Sequence, residues 1–180
     1  MKNQNTKKLA YAALFLALCL VLPMLAGQIP QIGSMLLPMH IPVLLCGLVC
    51  GWQYGAVVGF VAPLLRSVLF GMPPMYPVAI AMAFELLTYG LVIGLVYRRL
   101  AQKRLAGVYA ALLTAMVAGR LVWGVAEVVL LGLGGKAFTV QAFLAGALLN
   151  AVPGIIVQLV LIPAVMAALQ KAGAVKEYAE

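Results

Sequence analysis

"LPMHIPVLLCGLVCGWQYGAVVGFVAPLLRSVLFGMPP", from Leu37 to Pro74, contains no lysine, aspartate or glutamate. Two apolar runs fill it, His40 to Gly51 and Gly55 to Phe70, and "GWQYG" between them reads as a tight connection. Prolines fence both ends. Pro38 and Pro42 flank His40, the single histidine of the chain, and Pro73 and Pro74 follow Gly71. Proline removes a backbone donor and disfavours helix in the residue before it, so helices stop at these fences. Pro42 is tolerated if it falls in a first helical turn. With one arginine, Arg66, in the second run, the stretch reads as two short membrane helices.

The rest of the chain has the same character. Of 180 residues, 66% are hydrophobic and 9% charged, and the mean hydropathy is +1.12. A soluble domain is nearer half apolar and a quarter charged. A spanning helix needs ~20 apolar residues, which leaves room for about six spans and no soluble domain. The pattern predicts a single integral membrane domain over 1–180, all-α, with helices near 8–26, 40–51, 55–70, 78–97, 105–131 and 140–169. Lys7 and Lys8 before the first apolar run resemble the start of a signal peptide. The run is long and no A-x-A pattern follows, so it is expected to be a retained first span.

Charge sets the orientation. The net charge of +8 could suggest nucleic acid, but the basic residues bracket apolar runs instead. Lys7, Lys8, Arg98, Arg99, Lys103, Arg104, Lys171 and Lys176 are expected to face the cytoplasm. An even number of spans then places both termini inside. Loops 27–39, 71–77 and 132–139 face outward. Gly47, Gly51, Gly55 and Gly59 recur every four residues, as do Gly90 and Gly94. Such spacing lets helices approach closely in lipid, although the first series crosses the expected turn. Ala10, Ala13 and Ala17 on the first helix include an A-x-x-x-A pair that offers a flat face, for packing inside the protein or for docking a partner.

Ionisable side chains within the hydrocarbon are costly, so each is a functional candidate. Arg66, Glu85, Arg120 and Glu127 qualify. At ~1.5 Å per helical residue, most of them fall in the outer half of the membrane, with Arg120 near its middle. Asn150 on the sixth helix lies at similar depth. Trp123 sits between Arg120 and Glu127 at helical spacing, and Trp123 and Tyr76 offer stacking surfaces. This convergence predicts a polar cavity open to the outside. The same four charges also fit as two structural ion pairs.

Several chemistries are poorly supported. "GGKAF" (Gly134 to Phe138) lacks the spacing and hydroxyl of a phosphate-binding loop, so the chain is not expected to hydrolyse ATP. Ser34 and Ser67 are the only serines, and no G-x-S-x-G occurs. There is no Asp for an aspartyl mechanism. One histidine with scattered glutamates makes a poor metal site. Cys19, Cys46 and Cys50 lie in apolar runs and read as packing residues. An enzyme is therefore not expected.

The short helices, the Ala13-x-x-x-Ala17 pair and the proline-rich outer loops resemble the substrate-binding S component of energy-coupling factor (ECF) vitamin transporters. The Leu37 to Pro74 stretch is especially similar to members of that family. The resemblance covers essentially the whole chain. It implies a bacterial plasma-membrane protein that binds a vitamin-like micronutrient and carries no cofactor. It implies partners too: a membrane coupling subunit docking on Ala10, Ala13 and Ala17, and two ATPase subunits that use the ATP. The loop ending at His40 would cap a substrate site formed by His40, Arg66, Tyr76, Glu85, Arg120, Trp123, Glu127 and Asn150. His40 is expected at the cavity rim, as gate or substrate contact, with a wetted helix-start residue as the alternative. Two arginines favour an anionic cargo such as pantothenate, while Trp123 and Tyr76 also suit a flat heterocycle. The competing expectation is a self-sufficient, proton-coupled secondary transporter with Glu85 and Glu127 as proton carriers.

Overall fold

A computed structural model of the chain describes residues 2–25, 37–100, 105–135, 139–146 and 151–173. Every regular element among these residues is helical: α1 (Lys2–Leu25), α2 (His40–Cys50), α3 (Trp52–Phe70), α4 (Ile80–Arg99), α5 (Leu105–Leu133), the short α6 (Val140–Leu144) and α7 (Val152–Lys171). A wide turn, Met75–Ala79, leads into α4 and holds Tyr76 in extended backbone. Five helices are long and apolar enough to cross a membrane. α2, with 11 residues, is about half the length needed.

The connection between α2 and α3 is tighter than "GWQYG" suggests. Gly51 alone makes it, at a φ of 99°, and helix resumes at Trp52. Only glycine takes this conformation without strain, so four of the five residues expected in the turn are free to join α3. The single helix expected over 140–169 is replaced by α6 and α7. Pro153 stands at the very start of α7, where its missing N–H costs nothing.

α4 is the centre of the bundle. It packs against α2, α3 and α5; α1 lies on α2 and α3, and α7 touches α5 and α2. The glycines explain the closest of these contacts. A Cβ on Gly90 would lie 2.2 Å from the Gly55 carbonyl carbon, and one on Gly59 2.2 Å from the Leu86 oxygen. Backbone therefore rests on backbone across α2, α3 and α4, as small-residue spacing implies. Side chains at the periphery are apolar and exposed, among them Val57, Val117, Leu121, Val125 and Val160. Facing water this surface would be unstable; facing lipid tails it is ordinary.

Candidate functional site

Three of the expected residues meet inside the bundle. His40 opens α2, Glu85 lies on α4 and Arg120 on α5. Arg120 Nη1 is 2.9 Å from Glu85 Oε1, and His40 Nε2 is 3.6 Å from the same oxygen. His40 and Glu85 are each only 1% exposed. The local sequence makes this possible. Leu37 takes a positive φ of 49°, and its carbonyl accepts the His40 N–H at 3.0 Å, starting α2 without a side-chain cap. Because α2 is about half a membrane long, its first residue is carried into the interior instead of to the surface. Gly119, beside Arg120, has no side chain to block Tyr89; a Cβ there would lie 2.6 Å from the Tyr89 ring.

Tyr89 completes the cluster. It is 2% exposed, its ring meets His40 edge-on at 5.2 Å, and it lies one helical turn from Glu85 on α4. Nothing in the sequence separates it from an ordinary packing tyrosine except that i,i+4 relation to Glu85.

The hydrogen-bonding of the cluster is incomplete. Among the described residues, neither ring nitrogen of His40 has a hydrogen-bond partner, and neither do Arg120 Nε and Nη2. The Arg120–Glu85 contact is close, but its N–H is not aligned as a hydrogen bond on Oε1. Buried polar atoms in native proteins are nearly always satisfied, so a group of orphans in one place sets this cluster apart from the rest of the interior.

The remaining expected residues fall elsewhere or around the edge. Trp123 lies under the Arg120 guanidinium at 5.9 Å and stacks on Phe143 of α6 at 6.1 Å. Gly124 and Gly146 leave room for these two rings. Glu127 is buried on α5, seven residues beyond Arg120. Arg66 turns to α1 instead: Nη1 donates to the Leu20 carbonyl at 2.5 Å and the guanidinium rests over Phe70 at 5.3 Å. The Tyr76 hydroxyl donates to the Leu130 carbonyl, tying the turn before α4 to α5. Asn150 lies outside the described residues, as does most of the loop expected to cap the site. Gln158 on α7, buried with an unpartnered Nε2, was not singled out in the sequence.

His40 is thus no wetted helix-start residue, because it is enclosed. Ala10, Ala13 and Ala17 are exposed on α1, while Ala12, Phe15 and Cys19 face the core. Among the described residues no group of three or more His, Cys, Asp or Glu could hold a metal ion.

Compared with known families, residues 7–166 match the family described as ECF transporter, substrate-specific component. No curated protein and no solved structure matches the chain.

Proposed function

The chain belongs to the family of ECF transporter substrate-specific components, and from that premise we propose that it captures a water-soluble micronutrient at the His40–Glu85–Arg120 cluster for uptake driven by partner subunits. The unsatisfied donors of His40 and Arg120 carry this reading. A membrane protein of this family has no catalytic step to support such costly groups, and ligand binding supplies their missing partners. The cargo is a vitamin or related compound, and an anion such as pantothenate suits the arginine.

The exposed Ala10, Ala13 and Ala17 face is the docking surface for a membrane coupling subunit, and two ATPase subunits supply the energy. The chain itself uses no ATP and no cofactor. Lys7 and Lys8 near the start of α1, Arg98 and Arg99 at the end of α4 and Lys171 at the end of α7 support six membrane segments, with α2 the short one. They also favour cytoplasmic termini, in a bacterial plasma membrane.

The test is binding and uptake measured separately. The purified chain should bind one member of a vitamin panel with submicromolar affinity. Liposomes holding the chain alone should not accumulate it, and adding the coupling and ATPase subunits with ATP should start uptake. Two buried glutamates, Glu85 and Glu127, favour one competitor, a proton-coupled secondary transporter. Uptake by the chain alone that follows an imposed proton gradient would establish the competitor instead.

A further inference from the structure

We infer that the ligand of this cluster is a monoanionic carboxylate, seated on the Nε–Nη2 edge of Arg120, with hydrogen-bonding groups that meet His40 and Glu85. The inference rests on the binding-subunit reading and specifies its substrate class.

A guanidinium has two edges that present paired donors. Nη1 of Arg120 is committed to Glu85 at 2.9 Å. The opposite edge, Nε–H with the parallel Nη2–H, is buried and has no partner. Two parallel donors match the two oxygens of a carboxylate, and such bidentate pairs are the strong, directional ones. Glu85 is then a positioning residue. By holding Nη1 it fixes which edge is left over.

The surroundings support an anion at that edge. α2 begins at His40 without a side-chain cap, so the partial positive charge of its N-terminus is directed into the bundle beside the cluster. His40, 1% exposed with both nitrogens unpartnered, is the second observation at this helix start. Its ring offers two nitrogens to the hydrogen-bonding groups of a ligand. Glu85 Oε1 has no aligned hydrogen bond and accepts from a hydroxyl or amide of the same ligand.

The charge count limits the ligand to a single negative charge. One arginine faces Glu85, and Glu127 is buried two helical turns further along α5. A guanidinium already paired with one carboxyl group disfavours a phosphate dianion, whose second charge finds no partner. A cation would leave the Arg120 edge orphaned and add repulsion.

Matched probe pairs test this on the full chain in detergent or nanodiscs: nicotinate with nicotinamide, pantothenate with panthenol, and biotin with biotinamide, alongside thiamin and riboflavin. Thermal stabilisation and titration calorimetry read the binding. One carboxylate should bind, and its uncharged twin should bind weaker by about hundredfold. R120A should abolish that preference and R120K should keep part of it; the matched pairs on the unaltered chain give the answer even if a variant does not fold. An uncharged twin that binds equally well, or binding of thiamin or riboflavin alone, overturns the carboxylate seat and leaves the binding function standing. If no probe binds, the binding-subunit reading and the carboxylate seat fall together.

Discussion

Arg120 Nη1 meets Glu85 Oε1 at 2.9 Å, and the pair joins α5 to α4 within the bundle. Removing one member leaves an uncompensated buried charge, which typically costs about 3–5 kcal/mol, whereas replacing both with apolar groups is often neutral. E85A is therefore expected to lower the thermal midpoint sharply. The double variant E85M/R120M is expected to recover most of that stability while losing the ligand. Thermal unfolding in detergent and ligand titration, run on the same samples, separate the two effects. A double variant as unstable as E85A would show that the pair is not what holds these helices together.

Arg66 and Arg120 should respond differently to truncation. Arg66 donates to the Leu20 carbonyl of α1 and lies over Phe70, away from the cluster. R66A is expected to lose about 1 kcal/mol of stability, the scale of one partly exposed charged hydrogen bond, and to keep its ligand affinity within about threefold. R120A is expected to weaken the ligand by at least about tenfold. Equal losses of affinity in the two variants would return Arg66 to the binding site.

The glycine contacts predict a contrast within one residue type. G90A drives a methyl group into the Gly55 backbone of α3, and overpacking of this kind costs about 1–3 kcal/mol. G132A, at the end of α5 with nothing within 4 Å, is expected to be neutral within about 0.5 kcal/mol. Unfolding midpoints of the two variants, compared side by side, check the close approach of α3 and α4.

The outward face of α1 is expected to matter only when partners are present. Replacing Ala13 and Ala17 with leucine adds bulk to an exposed surface and disturbs no core residue. Ligand binding by the isolated chain should be unchanged, and uptake by the reconstituted complex should be lost. Normal uptake would reject the docking role of this face.

Much of the fold was legible because proline and glycine act locally. The start of α2 at His40 follows from Pro38 and Pro42, and the glycine series does bring helices together. The single-residue turn at Gly51 was not legible, because sequence shows that a glycine tolerates positive φ but not that one residue suffices. Pro153 marks the start of α7, yet the apolar run over 140–169 reads as a single helix. At the site, depth counting placed Glu85 and Arg120 at compatible levels, and burial cost marked them as exceptional. Which of two arginines would pair with Glu85 depends on helix rotation, which spacing within one helix does not reveal. The Leu20 carbonyl that takes Arg66 is invisible to any motif, since every residue carries one.

The glycine-lined contact of α2, α3 and α4 has a mechanical consequence. With backbone against backbone there is no layer of flexible side chains to act as a bearing, and the one-residue link at Gly51 has no slack to let α2 slide along α3. These three helices form a stiff chassis on which His40 and Glu85 are both mounted, 3.6 Å apart. Arg120 rides on α5, outside the chassis. Of the cluster, Arg120 alone depends for its position on how α5 packs on α4.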